Sequence, residues 1–281
     1  MKLYPIETGR FKLDGGAMFG VVPKPIWQKT NPADSQNRIE MAMRCLLIED
    51  ESRLILIDNG LGHKYTEKFK GLYEVNHEHS SLQKSLDALG FSPDDITDVI
   101  LTHLHFDHCG GSTAWNPMKE RHELVFENAI HWVQKKHLEW ALKPNAREKA
   151  SFYAENILPI VESGNLRMLD GETELFPNIA LKVVNGHTEA QQLPFIFYKE
   201  KQILFVADLF PSAGHLPLPY VMGYDTRPLL TLEERERILP QLVDEEIIIF
   251  YEHDPINECG TVIRNEKGAY TQGISLKLGD L

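Results

Sequence analysis

Three histidines and an aspartate lie within six residues of one another, directly after an apolar run that is typical of a β-strand. The run covers residues 98–102, and the polar residues that follow are His103, His105, Asp107 and His108. Imidazole and carboxylate groups crowded onto one loop are poor core formers, because each nitrogen and oxygen needs its own hydrogen-bonding partner. A divalent metal ion satisfies them together, and this donor set suits zinc as well as iron, manganese or cobalt. The sequence therefore predicts a metal site at the end of a strand.

The same arrangement, an apolar run of strand length followed by a polar residue, recurs along the chain. The further runs cover residues 53–57, 181–184, 203–207 and 247–252, and they lead to Asp58, His187, Asp208 and His253. Helix-compatible stretches lie between the runs, at residues 80–89, 123–142, 147–161 and 232–242, the last with Thr231 as its cap. Strands and helices mixed in this way indicate a layered α/β domain, in which functional groups lie where strands end.

The composition limits the partners that the protein can have. The net charge is −12, with 41 acidic residues against 29 Lys and Arg, so a phosphate-binding surface for nucleic acid is not expected. No segment approaches the roughly 18 apolar residues of a membrane span, and the first residues do not resemble a signal peptide. We expect a cytoplasmic protein with one domain over residues 1–281, whose two pseudo-equivalent halves meet near residues 165–180. The expected partner is a small-molecule substrate, and a homodimer is left open.

The spacing His-x-His-x-Asp-His after a strand resembles the signature of the metallo-β-lactamase superfamily. The resemblance implies a four-layered αββα sandwich with a further His, a bridging Asp and a last His at later strand ends. Three residues match these in type and order, namely His187, Asp208 and His253. By this resemblance, one divalent ion is held by His103, His105 and His187. The second ion is held by Asp107, His108 and His253, and Asp208 bridges the two.

Two divalent ions close together lower the pKa of a shared water toward about 7 and stabilise negative charge on substrate oxygen. The expected reaction is hydrolysis at a carbonyl or phosphoryl centre, with Asp107 and Asp208 as the catalytic carboxylates and Asp107 relaying a proton. Asp58 resembles the upstream aspartate of the superfamily, which implies that it orients a ligand imidazole. An ordinary aspartate in a turn at the strand end is the alternative.

Residues 13–24 resemble the N-terminal segment of the superfamily members that open N-acyl homoserine lactones. Met18 and Phe19 are expected to form an apolar pocket wall there, with core packing as the alternative. Some lactonases carry a tyrosine three residues after the bridging Asp, where this chain has Pro211. A different hydrogen-bond donor to the substrate is then needed, and the candidates are His215, Tyr220 and Tyr224.

We therefore expect a dinuclear metal-dependent hydrolase, with zinc favoured, that opens lactones or cleaves related small esters. The alternatives are a phosphotriesterase or phosphodiesterase, a glyoxalase II-like thioester hydrolase, and a metal-binding protein without catalysis. Five other histidines are interpreted as surface residues, with His77 and His79 on a solvated loop and with His122, His131 and His137 on helices.

Overall fold

Fifteen strands and eight α-helices form within residues 1–281, all of which the computed structural model describes. In chain order the strands are β1 (Lys2–Asp14), β2 (Arg38–Asp50), β3 (Arg53–Ile57), β4 (Asp98–Ile100), β5 (Thr113–Trp115), β6 (His122–Leu124), β7 (Ile130–Gln134), β8 (Leu166–Leu169), β9 (Thr173–Phe176), β10 (Ile179–Val184), β11 (Gln191–Tyr198), β12 (Lys201–Phe205), β13 (Ile248–Phe250), β14 (Cys259–Arg264) and β15 (Tyr270–Leu276). The helices are α1 (Gly15–Phe19), α2 (Lys24–Trp27), α3 (Glu67–Tyr73), α4 (Leu82–Leu89), α5 (Phe106–Cys109), α6 (Lys135–Leu142), α7 (Ala154–Glu162) and α8 (Pro228–Asp244). None of the helices combines the length and the apolar composition that crossing a membrane requires.

The strands form a mixed α/β structure with several sheets. One sheet has six strands in the order β1-β2-β3-β4-β7-β8, a second has seven in the order β15-β14-β13-β12-β11-β10-β9, and β5 pairs with β6 alone. The chain divides into two compact units. The first unit consists of Met1–Arg10 and Met43–Asp170, and the second consists of Phe11–Ala42 and Gly171–Leu281.

In the first unit, β3, β4, β7 and β8 are parallel neighbours. The central strands β3 and β4 are mostly apolar, and Ile55, Ile57 and Val99 are fully buried, as expected for parallel strands covered on both sides. Because β3 and β4 run in the same direction, the residues that follow them meet at one edge of the sheet. The backbone N–H of Asp58 donates to the carbonyl of Ile100 at 3.0 Å, and this bond places Asp58 beside the start of the histidine-rich loop.

In the second unit the sheet is antiparallel except at one pair of strands. β12 and β13 are parallel, with Leu204 opposite Ile249. Asp208 and His253 follow these two strands and therefore lie at the same edge of the sheet. α8 belongs to this unit and buries Leu239 and Leu242 together with three polar residues.

All five predicted strands are present, and the predicted helix at residues 80–89 is α4, which Ser81 caps through a bond to the N–H of Lys84. The prediction of one helix over residues 123–142 is wrong. Residues 130–134 form β7, between β4 and β8, and only residues 135–142 are helical. Ile-His-Trp-Val-Gln is rich in β-branched and aromatic residues, and pairing on both sides decides its conformation.

The last predicted helix is longer than expected. α8 starts at Pro228, whose ring favours the first helical position, so Thr231 lies inside the helix and is not its cap. Residues 147–161 contain a short 3₁₀ turn, Lys149–Ser151, followed by α7.

Candidate metal centre

The histidine-rich loop of the first unit follows β4 and runs through the single turn of α5. His103, His105, Asp107 and His108 are all buried. The loop can pack this closely because two glycines follow it. A Cβ atom at Gly110 would overlap the carbonyl oxygen of Leu61, and one at Gly111 would overlap that of Asn59. Only glycine therefore fits behind the loop.

The imidazole rings of this loop face one another. Nε2 of His103 lies 3.0 Å from Nδ1 of His105, and the ring centroids of His103 and His108 are 3.9 Å apart. The carboxylate Oδ2 of Asp107 is 3.9 Å from Nε2 of His108. All four side chains are candidate metal ligands. Four donor groups at such separations in a buried loop need a shared cation or a set of shared protons.

Each of these histidines is held at its other ring nitrogen. Nδ1 of His103 lies 3.1 Å from the hydroxyl of Thr102. Nε2 of His105 lies 2.9 Å from Oε1 of the buried Glu148. When the partner is a carboxylate, the held nitrogen carries the proton and the other nitrogen presents its lone pair to a metal.

Asp58 holds the third histidine. Its Oδ2 lies 3.1 Å from Nδ1 of His108, and the same carboxylate accepts from the backbone N–H of Thr102 at 2.8 Å and from its hydroxyl at 2.6 Å. Asp58 is fully buried and adopts a positive φ of 54°. The carboxylate thus ties the orientation of His108 to the backbone at the end of β4, which is the geometry needed to orient a ligand.

In the second unit, Asp208 lies between two histidines. Its Oδ2 is 3.1 Å from Nε2 of His187, and its Oδ1 is 3.2 Å from Nε2 of His253. These three residues are also buried candidate ligands. The other ring nitrogens are held as in the first unit. Nδ1 of His187 lies 2.8 Å from Oδ1 of Asp225, and Nδ1 of His253 donates to the carbonyl of Ala42 at 2.8 Å.

The carboxylates around His187 stabilise positive charge at its imidazole. Burial alone lowers the pKa of an imidazole, but the carboxylates of Asp208 and Asp225 raise the pKa of His187 to about 10. Without a metal, the group therefore holds an extra proton at neutral pH. A divalent cation supplies the same positive charge through the lone pair of Nε2. In each unit, the anchored imidazoles and the carboxylate are donor types that fit zinc or a similar divalent ion.

The predicted pocket residues of the second unit have different environments. Met18, Phe19 and His215 are buried, and the Phe19 ring stacks on Trp27 at 5.3 Å and on His215 at 4.2 Å. This packing favours the core alternative for Met18 and Phe19. Tyr220 is half-buried and packs edge-on against Phe19.

The environment of His215 favours a structural role over the expected role as a donor to the substrate. Its Nδ1 lies 2.8 Å from the Ser212 hydroxyl and its Nε2 donates to the carbonyl of Met18 at 3.0 Å, so both nitrogens are used within the protein. Burial and then the charge of Arg235 lower the pKa of His215 to about 3, which keeps the ring neutral. Pro211 is buried, and Tyr224 is 40% exposed.

Sequence reasoning misses Glu148 and Asp225, although each holds the imidazole of a candidate ligand. They lie 43 and 38 positions from the histidines that they contact, and in the sequence they look like ordinary surface residues. The interpretation of His137 as a surface residue is wrong. It is buried, and its Nε2 accepts from the backbone N–H of Leu104 at 2.7 Å. His131 is also fully buried, on β7 and not on a helix.

Comparison with known proteins identifies the class. Residues 44–253 match the Metallo-beta-lactamase superfamily, and this match spans most of the chain. The chain belongs to that superfamily and has its mixed α/β fold, and it is a metal-dependent hydrolase.

Three proteins of known name or structure are similar to this chain over most of its length. An N-acyl homoserine lactonase of Bacillus thuringiensis is 27% identical over 266 residues, which cover 90% of this chain and 93% of the relative. A solved probable metal-dependent hydrolase of Staphylococcus aureus is 29% identical, with a TM-score of 0.87 over 98% of both chains. A dizinc quorum-quenching lactonase, solved with the product N-hexanoyl-L-homoserine, is 25% identical, with a TM-score of 0.78 over 98% of this chain and 94% of the lactonase.

Proposed function

We propose that the protein opens lactones and related small esters with two divalent ions, zinc being favoured, that the seven candidate ligands bind jointly. In this proposal His103, His105 and His187 hold one ion. Asp107, His108 and His253 hold the other, and Asp208 bridges them. The observation that carries the proposal is the position of Asp208, whose two oxygens each face a different imidazole Nε2 at 3.1 and 3.2 Å. A bridging carboxylate needs one oxygen for each ion.

The ions, when bound, supply a nucleophile at neutral pH and stabilise negative charge that develops on the substrate oxygen. The protein contributes fixed geometry. Asp58, Glu148 and Asp225 hold the rings of His108, His105 and His187, so each lone pair keeps one direction through the reaction. Asp107 is buried, and we assign it the transfer of a proton during ring opening.

An aromatic cluster in the first unit supports a substrate with an apolar part. Its members are Tyr65, Phe69, Tyr73, Phe106 and Tyr153. The ring centroids of Tyr65 and Phe69 are 4.2 Å apart, those of Phe69 and Tyr73 are 4.7 Å apart, and those of Phe69 and Phe106 are 5.4 Å apart. Phe106 directly precedes Asp107 in the chain, so the aromatic surface reaches the candidate metal ligands.

The tyrosines of this cluster are neutral at neutral pH. Burial raises the pKa of Tyr73 to about 12 and also raises that of Tyr65, and the negative charge of Asp107 adds to both shifts. An uncharged aromatic surface beside a carboxylate suits a neutral substrate with an acyl chain. N-acyl homoserine lactones have this chemistry. The Bacillus thuringiensis relative is an N-acyl homoserine lactonase, and the dizinc lactonase was solved with the product N-hexanoyl-L-homoserine.

Parallel hydrolysis assays test the proposal. The zinc-loaded protein is given N-acyl homoserine lactones of increasing chain length, a simple lactone, an aryl ester, a phosphotriester and a thioester. We expect the acyl homoserine lactones to have the highest kcat/KM, and Asp208→Ala to abolish their hydrolysis. Activity on phosphotriesters or thioesters without lactone opening would reject the substrate assignment. Undiminished lactone opening by Asp208→Ala would reject the bridging role.

A further inference from the structure

Two adjacent residues of α8 with opposite charges are buried, Glu234 almost completely and Arg235 completely. Successive side chains of an α-helix point in directions about 100° apart, so the two residues can reach different parts of the chain. Each contacts one of the loops that carry a candidate ligand in the second unit.

Glu234 holds the loop of His187. Its carboxylate oxygens accept from the backbone N–H groups of Asn185 at 2.6 Å and Gly186 at 3.0 Å, the two residues before His187. The loop lies directly on the helix, because a Cβ atom at Gly186 would overlap the backbone and hydroxyl of Thr231. The position of the His187 backbone is therefore set by α8.

Arg235 holds the loop that follows Asp208. Its Nε donates to the carbonyl of Leu209 at 2.9 Å, and its Nη1 donates to the carbonyls of Tyr220 at 2.7 Å and His215 at 3.2 Å. The guanidinium also lies over the ring of Phe210 at 5.0 Å. Burial lowers the pKa of Arg235 only to about 10, so the group is charged at neutral pH.

Helix packing alone does not explain these two residues. Buried charges lose their hydration, and well-packed apolar residues of similar size often give equal or greater stability. The charged groups instead fix the positions of the backbone groups that they bind, since a carboxylate accepts from two N–H groups and a guanidinium donates to several carbonyls at fixed angles. Both loops are thereby attached to one turn of the same rigid helix.

We infer that Glu234 and Arg235 are a pair of positioning residues that fix His187 relative to Asp208 for metal binding. The inference rests on the proposed function of these two residues as metal ligands. Neither Glu234 nor Arg235 contacts the metal in this account. They set the separation of 3.1 Å between Nε2 of His187 and Oδ2 of Asp208 through the backbones of the two loops.

The test measures zinc affinity separately from stability. Glu234→Gln keeps the shape but presents an amide nitrogen to one of the two N–H groups, and Arg235→Lys keeps the charge but loses the planar fork. Two exposed neighbours on the same helix supply matched controls, Glu236→Gln and Arg237→Lys. For each protein, competition with a chromogenic chelator gives the zinc dissociation constants, and urea unfolding of the metal-free form gives its stability.

We expect each buried variant to bind the weaker zinc ion 10- to 100-fold less tightly, as changes behind metal ligands commonly do, and the controls to stay within about twofold. Loss of stability with zinc affinity unchanged would show that the pair is merely structural and would overturn the inference. If Arg235→Lys does not fold, the isosteric Glu234→Gln decides the question. Wild-type protein that fails to bind two zinc ions would instead reject the proposed function, and the positioning role with it.

Discussion

Replacing Asp58 with asparagine is expected to change the tautomer of the candidate ligand His108 without removing any candidate ligand. The Asp58 carboxylate accepts three hydrogen bonds, two from Thr102 and one from Nδ1 of His108. Asparagine keeps the bond to the Thr102 N–H through its oxygen. Its NH₂ group then faces Nδ1 of His108, which must become an acceptor. The imidazole proton moves to Nε2, the nitrogen that the account assigns to the metal.

The magnitude follows from the bonds that change. The oxygen that becomes NH₂ accepts from both the Thr102 hydroxyl and Nδ1 of His108, so two hydrogen bonds to a charged group are lost. Each such bond contributes about 1.5–3 kcal/mol to the free energy of unfolding, and the new neutral bond to Nδ1 offsets about 0.5–1.5 kcal/mol of the loss. Asparagine tolerates the positive φ of 54° at this position, so backbone strain adds little. The displaced proton competes with zinc at Nε2, and we expect zinc to bind the ion site of His108 about 10- to 100-fold less tightly.

Asp98→Asn is the matched control. Asp98 is also fully buried and accepts from Arg53 at 2.9 Å, from Thr97 at 2.8 Å and from Trp132 at 2.8 Å, with no histidine among these partners. Both variants should lower the free energy of unfolding of the metal-free protein, but only Asp58→Asn should weaken zinc in a chelator competition. Wild-type zinc affinity in Asp58→Asn, or equal weakening in both variants, would refute this reasoning.

Three further outcomes are expected. Burial lowers the pKa of His131 from 6.5 to about 4, so the unfolded chain takes up a proton that the folded protein excludes, and stability falls as the pH drops from about 6.5 toward 4. At pH 5 the loss in the free energy of unfolding is about 2 kcal/mol. Urea unfolding of the metal-free protein at pH 7.5 and 5.0 should show a smaller loss of stability for His131→Leu than for the wild type. Equal losses in the two proteins would contradict the assignment. Phe69→Ala should raise KM for N-decanoyl homoserine lactone about tenfold with little change in kcat, because it removes an apolar contact that the substrate and the transition state share. An unchanged KM in steady-state kinetics would show that the aromatic cluster does not contact the substrate. Gly60→Ala should lower the free energy of unfolding by about 1–3 kcal/mol, since Gly60 has a φ of 71° and an added Cβ atom would overlap the Thr8 hydroxyl. Chemical denaturation measures the change, and an unchanged midpoint would show that the substitution causes no strain.

The strand ends could be predicted because the signal is local. An apolar run followed by Asp58 or Asp208 contains both the strand and the break in one short stretch of sequence. Parallel pairing of β3 with β4, and of β12 with β13, then places such residues at a common edge. The spacing of apolar residues within the strands and the polar residues that end them are sufficient to predict this part of the fold.

The groups behind the ligands could not be predicted, because their contacts are long-range. Nothing near Glu148 or Asp225 marks it as the partner of a particular histidine, and only the folded chain brings each pair together. Residues 123–142 were misassigned for a related reason. Their helical pattern was overridden at β7 by pairing with β4 and β8, which lie far away in the sequence.

The number of zinc ions bound per chain is the most direct test of the proposed dinuclear site. Metal-free protein is titrated with zinc, and the bound zinc per chain is determined by elemental analysis alongside lactone hydrolysis at each point. We expect saturation at two zinc ions per chain, with full activity only at the second equivalent, and fewer than two bound ions in Asp208→Ala. Saturation of the wild-type chain at one zinc ion or fewer, or two tightly bound ions in Asp208→Ala, would contradict the proposed dinuclear site.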